Sequence, residues 1–561
     1  MARTGARMLI VGLDGATWDV ADPLIQAGDL PVLARLVAEG ARAPLNSTTP
    51  PMTLPSWSSM LTGCNPGRHG IFDFVRKIPG KWQLEFTNAS HRRVPTLHRV
   101  LSDRGARVAS IAVPTTWPPD PLNGVVISGF DSPVSTGIDG SFCHPPELYG
   151  EIQRRFGGLK FADFQESEIG PGWHEDALGA LLREIPRKQR IAEWLLKEER
   201  WDAFMLLFGE SDTVSHHFWM FHDPDSPRHP ANAPAVLRDA IRRVYIALDQ
   251  ALGRLIEAAG PDHVCICSDH GFGGAGVHVL YLNRYLEQAG WLKYRRRVRV
   301  DGMRSGSGMA DRIRGLAATK LPRQLQGKVF RAVPDALLGH IETRSRYGDL
   351  DLHSTRALSD EMNYAATLRL NLPEEDAAGR AVATAELSQL LSEWTVDGHQ
   401  VVDAVHTRES LYQGPCVGDS PELILDLNLR EGTTYTLLPS ARADPGQTWR
   451  LLDPHEYPGG KGLGMNGTHR QHGVLSLWGR GVCAGSRVAA GMSDIAPTLL
   501  QLMGEPIPAH MDGSVLSEAL DTGLTEVERV APAPDQHTSP TSATPEEAAA
   551  IARRLERLGY L

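Results

Sequence analysis

Asp212 and His216 stand four residues apart, and Asp269 directly precedes His270. Carboxylate oxygens and imidazole nitrogens are the donors that divalent cations take in phosphoryl chemistry. A pair of such ions about 4 Å apart steadies both the attacking and the leaving oxygen. On a helix, the four-residue spacing places Asp212 and His216 on one face. At the end of a strand, an irregular backbone can turn both Asp269 and His270 toward one centre. Asp14, the segment Thr53-Leu54-Pro55-Ser56 and His469 in Gly467-Thr468-His469-Arg470 complete the set of chemically capable residues.

The elements needed to position them are legible as a βα alternation. Met8 to Leu13 reads as a buried strand followed by a helix over Leu24 to Gly40. Further helices are expected over Pro95 to Arg104, Lys188 to Lys197 and Val236 to Ala258, and strands over Arg107 to Val113, Ala203 to Phe208 and His263 to Cys267. Such alternation implies an α/β fold with a mainly parallel central sheet covered by helices on both faces. Ligands then sit beyond the carboxyl ends of the strands. Three apolar runs end in the relevant residues: Leu9 to Leu13 before Asp14, Phe204 to Phe208 before Glu210 and Asp212, and Val264 to Cys267 before Asp269 and His270. Three such ends on one sheet edge make a polar, metal-compatible pocket.

Read in order, Asp14, Thr53, Asp212-x-x-x-His216, Asp269-His270-Gly271 and His469 resemble the nucleotide pyrophosphatase and phosphodiesterase branch of the alkaline phosphatase superfamily. The likeness covers about residues 8 to 275 and 465 to 516, including Asp494-Ile495-Ala496-Pro497-Thr498 and Met511-Asp512-Gly513. It implies an alkaline phosphatase-like fold with an inserted cap domain and a site for two divalent metal ions. Asp212, His216 and His469 would hold one ion, and Asp14, Asp269 and His270 the other, with Thr53 as a ligand beside or between them. Zinc follows from ligand type and resemblance, and manganese suits the same donors. The implied reaction hydrolyses a small-molecule phosphodiester or diphosphate: Thr53 attacks phosphorus in line, and water then hydrolyses the phosphothreonine. The alternation weakens between His278 and about Gly460 and resumes near Gly473, and Ala531 to Pro545 is rich in Pro, Ser and Thr, so the expected division is a catalytic part at 1–278, an insertion or cap at 279–460, a second catalytic part at 461–528, a linker at 529–545 and a C-terminal helix at 546–561.

Cys64-Asn65-Pro66-Gly67-Arg68 superficially matches the Cys-x-Pro-x-Arg signature that sulfatases convert to formylglycine, but its register is wrong. In sulfatases the modified cysteine precedes a Thr-Gly pair by nine and ten residues. Counting back from Thr62 and Gly63 reaches Thr53, with Pro55 two residues on. Thr53 therefore occupies the nucleophile slot, and a threonine cannot become formylglycine. The same register puts Phe74, 21 residues after Thr53, where nucleotide pyrophosphatases place an asparagine that donates to phosphate. The exchange removes a donor, with Asn88 or a backbone N–H as substitutes, and leaves a diester or diphosphate bearing a hydrophobic or sugar group in play. Competing assignments stay open within the set: His217 for His216 and His472 for His469. His222, His229 and His278 read as surface or cap residues, and Trp57 as packing or a substrate platform.

At 561 residues with 42% hydrophobic composition, the chain can bury a large core. A net charge of -10 argues against binding to nucleic-acid duplexes, so the positive charge for phosphate must be local. Six scattered cysteines and the lack of a recognisable leader suit a reducing, cytoplasmic setting. Residues Lys293 to Arg346 carry 14 Lys or Arg against 4 Asp or Glu. They read as a solvated helical face or as a peripheral contact with anionic lipid. Two further functions fit the sequence. One is a phosphomonoesterase or phosphotransferase using the same site, with Arg68 and Arg470 as candidate clamps. The other is a non-catalytic, metal-stabilised module at a lipid surface. Oligomeric state leaves no trace in the sequence.

Overall fold

The computed structural model describes residues 4–132, 140–158, 169–295, 346–361, 365–460 and 464–531. Nearly all of the basic segment 293–346, most of the anticipated linker and the C-terminal helix lie outside the described residues.

A ten-stranded sheet forms the centre. Its strands in chain order are β1 (Gly5–Leu13), β2 (Ala41–Asn46), β3 (Val108–Val113), β4 (Gly124–Ser128), β5 (Cys143–His144), β6 (Arg200–Phe208), β7 (His263–Cys267), β8 (His472–Gly479), β9 (Ser486–Arg487) and β10 (Ala490–Gly491). They lie in the order β9-β2-β8-β7-β1-β6-β3-β4-β5, with β10 also on β2. The five central strands from β7 to β4 are parallel, and β8 and β5 join antiparallel on either side. This is the mainly parallel, helix-covered α/β architecture anticipated from the alternation.

The strand interiors are apolar on both faces because both are covered. In β1, Leu9 and Val11 enter one core layer, with Leu252 and Leu255 of the helix Ala240–Ala259. Met8 and Ile10 enter the other, with Met60 and Leu61 of the helix Thr53–Thr62 and Leu499 of the helix Ile495–Met503. Pairing sets Leu13 beside Phe208 and Gly12 beside Cys267, so three strand ends finish level. Asp14, Asp212 and Asp269 follow from those ends.

The chain leaves the main sheet on the strand Gly271–Leu280, which pairs with Thr434–Leu437, Trp449–Leu451 and Gly467–Arg470. A smaller antiparallel sheet of Ala357–Leu358, Ala366–Leu370, Val402–Thr407 and Leu423–Leu427 packs with the helix Ala377–Ser392 around its own apolar cluster.

Three helices differ from the periodicity reading, and the one expected over Val236 to Ala258 is two, Ala235–Arg238 and Ala240–Ala259, with Asp239 between them. The expected helix over Leu24 to Gly40 is two, Trp18–Gln26 and Pro31–Glu39. Gly28 breaks it with a φ of 81°, and Pro31 opens the second helix at a position where its missing N–H costs nothing. The helix read from Lys188 begins at Trp173 and contains Pro186.

Gly12 lies against Trp57, and a β-carbon there would stand 2.8 Å from Trp57 Cη2 and 3.1 Å from Leu207 Cδ1. Gly12→Ala should therefore lower stability by about 1–3 kcal/mol, as overpacked cores do. A urea denaturation midpoint equal to the parent's would refute that close packing.

Candidate active site

The helix Glu210–His222 starts directly after β6, so its first turns stand above the sheet edge. Asp212 and His216 occupy one face of it, with Asp212 Oδ1 and His216 Nε2 3.1 Å apart. His469 reaches them from the strand Gly467–Arg470. His469 Nε2 lies 3.1 Å from His216 Nε2 and 3.6 Å from Asp212 Oδ1. The second group gathers Asp14 after β1 and Asp269 and His270 after β7. His270 Nε2 is 3.2 Å from Asp269 Oδ2 and 3.8 Å from Asp14 Oδ1. All six residues are buried, and the rings of His270 and His469 stack with centroids 3.6 Å apart, which makes the two triads one site.

The positions left open in the sequence are resolved geometrically. His217 packs its ring against Trp173 at 4.8 Å, and His472 is exposed at the start of β8. Neither joins a triad. Phe74 is buried in the core against Phe130, so it takes away a donor without offering a free apolar platform. The Asn88 side-chain carbonyl accepts from Ser90 N.

The fit to cations follows from where each side chain is already bonded. His216 Nδ1 lies 2.9 Å from Gly467 O, His469 Nδ1 2.8 Å from Pro51 O and His270 Nδ1 3.1 Å from Gly271 O. A carbonyl only accepts, so each Nδ1 carries a proton and each ring, when neutral, turns an Nε2 lone pair inward. Burial pushes His270 well below and His469 below the usual histidine range, which keeps both neutral. Two lone pairs 3.1 Å apart beside a carboxylate call for a cation between them. The carboxylates are arranged likewise. Asp14 Oδ2 accepts from Trp57 Nε1 at 3.2 Å and Asp269 Oδ1 from Gly15 N at 3.1 Å, while Asp14 Oδ1 and Asp269 Oδ2 join His270 in the cluster. Burial drives the Asp269 carboxyl well above its ordinary range, as expected of an acid held from water without its counter-charge. Asp269 Oδ2 and His270 Nε2 face one another without hydrogen-bonding.

Thr53 is the first residue of the helix Thr53–Thr62, where backbone N–H groups and the helix dipole favour an anion. Its Oγ1 is buried and makes no hydrogen bond. Pro51 O ties this turn to His469. Ser47 Oγ donates to Asp269 O at 2.6 Å and lies 2.8 Å from Ser56 Oγ, one turn beyond Thr53, linking the helix to the second triad. Trp57, on the same helix, is packing residue and Asp14 anchor at once. No sequence signal joins Trp57 to Asp14, because the bond spans separate elements.

Cys64 is buried, its thiol pushed up to about 12 by desolvation, and Sγ donates to Thr62 O and His510 O. The two candidate clamps are engaged elsewhere. Arg68 Nε donates to Asp512 Oδ1 at 2.8 Å, and Arg470 Nη2 donates to Gly274 O and Gly432 O at 3.0 Å each. Arg470 and His469 are successive strand residues and so face opposite ways.

At the carboxyl edge of the mainly parallel sheet, two acid–histidine triads thus lie side by side. A model of the family "Type I phosphodiesterase / nucleotide pyrophosphatase" matches residues 8–391, and the chain belongs to that family, whose members depend on divalent metals. Five triad residues fall within that span, and His469 lies beyond it. Among curated proteins, none matches the chain. Among solved structures, the chain is similar to phosphonoacetate hydrolase from Sinorhizobium meliloti in complex with phosphonoformate, at 16% identity and a TM-score of 0.49, over 88% of this chain and 94% of that one. It is also similar to human ectonucleotide pyrophosphatase / phosphodiesterase 5, at 13% identity and a TM-score of 0.46, over 92% and 100% of the two chains.

Trp57→Phe keeps the ring and removes the donor to Asp14. It should weaken metal binding at the Asp14, Asp269 and His270 triad about 10–100-fold, as loss of an outer hydrogen bond does. Equilibrium dialysis of the folded variant measures this, and parental affinity would show that Asp14 needs no such anchor.

Proposed function

We propose that this enzyme hydrolyses a phosphodiester or a diphosphate through a phosphothreonine at Thr53, with two divalent cations, zinc by preference and manganese as an alternative. One observation carries the proposal: two buried triads, joined by the His270–His469 stack, lie beside a helix start whose threonine hydroxyl makes no hydrogen bond. Asp212, His216 and His469 would hold one ion, and Asp14, Asp269 and His270 the other. When bound, the ions supply the positive charge that lowers the pKa of a hydroxyl and stabilises charge building on the reacting oxygens.

The chain's own residues account for the rest. The Thr53 oxygen loses its proton and forms a bond to phosphorus as the opposite P–O bond breaks, and the leaving oxygen departs with its electron pair and takes up a proton in exchange. Water then attacks the phosphothreonine, restoring the hydroxyl and releasing the phosphorylated product. The N-terminal turn of the Thr53 helix offers its positive end to the phosphoryl oxygens. Burial of Thr53, 1% exposed, keeps bulk water from competing with the nucleophile in the first step.

Charge favours a diester. Three carboxylates against two divalent ions leave one net positive charge, which balances a monoanionic diester but not a dianionic monoester. Arg68 is already paired with Asp512, and Arg470 turns away from His469. With matched aryl esters, turnover of the diester should exceed that of the monoester at least tenfold in kcat/KM. A strong monoester preference would overturn the proposal.

The covalent step has its own test. Thr53→Ala should lower kcat by at least a thousandfold while metal content stays near parental, whereas Asp269→Ala should lose metal as well as activity. Metal analysis beside kinetics separates the two, and a fully active Thr53→Ala enzyme would rule out the phosphothreonine.

A further inference from the structure

Asn466 lies three residues before His469 and is fully buried. Its side chain is bonded to the backbone of the helix that carries the other two residues of the first triad. Oδ1 accepts from Met220 N at 3.1 Å, and Nδ2 donates to His217 O at 3.0 Å. Nδ2 is also 3.4 Å from Pro458 O, and Asn466 O accepts from Ala275 N at 3.0 Å. One carboxamide therefore presents a donor and an acceptor to a helix directly after His216. A carboxamide does both at once, from two separate atoms.

The same seam is closed on either side of Asn466. Gly467 approaches the helix so closely that a β-carbon would stand 2.1 Å from Ser215 O, and Gly467 O accepts a hydrogen bond from His216 Nδ1. On the other side, Arg228 is buried and spends its guanidinium on oxygens other than carboxylates. It donates to Gly464 O and Met465 O from Nη1, to Gly276 O from Nε and Nη2, and to Thr436 Oγ1 from Nη2. It thereby fixes the two residues that lead into Asn466.

We infer that Asn466 is a positioning residue for the first metal site: its carboxamide locks the strand bearing His469 to the helix bearing Asp212 and His216. The second triad, drawn from β1 and β7, contains no residue on either side of this seam. Asn466 should accordingly govern the affinity for one ion and not the other. This inference rests on the reading of the two triads as metal sites.

Asn466→Asp is nearly isosteric. It keeps the acceptor for Met220 N and replaces the donor to His217 O with an oxygen that repels it. The experiment compares parent, Asn466→Asp and Asn466→Ala, each stripped by chelation and titrated with zinc, with bound metal counted by native mass spectrometry and folding followed by circular dichroism. The parent should bind two ions. Both variants should fold and bind one ion with parental affinity and the other about 10–100-fold more weakly. Excess zinc should restore kcat with KM unchanged, which repair of a merely loosened fold would not do. A parent that binds no zinc would defeat the metal reading itself. A parent that binds two ions, with variants that also bind both normally, would overturn the role of Asn466 alone. Failure of both variants to fold would overturn it too, since the carboxamide would then serve the fold and not the ligand set.

Discussion

Asp14, Asp212 and Asp269 are three carboxylates withdrawn from water at one edge of a sheet, with three histidines beside them and no arginine or lysine among the triads. Burying an ion without a partner costs several kcal/mol, and close like charges add to that cost. A fold that keeps such a cluster must either protonate it or supply cations. The upward drive on Asp269 and the downward drive on His270 and His469 are the same desolvation acting on opposite kinds of group. Divalent ions relieve both, because they compensate carboxylates and take the lone pairs of neutral imidazoles.

Much else in the molecule serves to aim these groups. Each histidine donates its Nδ1–H to a backbone carbonyl, and Asp14 and Asp269 each accept an N–H on one oxygen. The partners come from different places: the Thr53 helix supplies the Trp57 donor, the loop after β1 the Gly15 donor, and the turn before Thr53 the Pro51 O acceptor. The turn and helix that carry Thr53 are thus tied to both triads by contacts that also complete them.

The sheet and the triads were legible in the sequence to different degrees. The strand ends were readable because a buried parallel strand is a short apolar run, and an acid just beyond it has few structural reasons to be there. Asp212 and His216 were readable because helical spacing is local. His469 could be tied to them only by resemblance, since its pairing opposite Phe272 joins segments almost 200 residues apart. The bonds of Trp57, Ser56 and Asn466 gave no signal, because they depend on how helices and strands pack. The split between Gln26 and Pro31 was missed because apolar spacing runs across it, while Gly28 and Pro31 decide the backbone locally. At Phe74 the register identified a missing donor, but only packing against Phe130 shows that nothing apolar is offered in its place.

The central claim is that six side chains form two cation sites on one buried edge. Anomalous diffraction at the zinc edge, from crystals grown with zinc, addresses it most directly. The account requires two peaks, one among Asp212, His216 and His469 and one among Asp14, Asp269 and His270. A fully active crystalline enzyme with one peak, or with neither triad occupied, would contradict it.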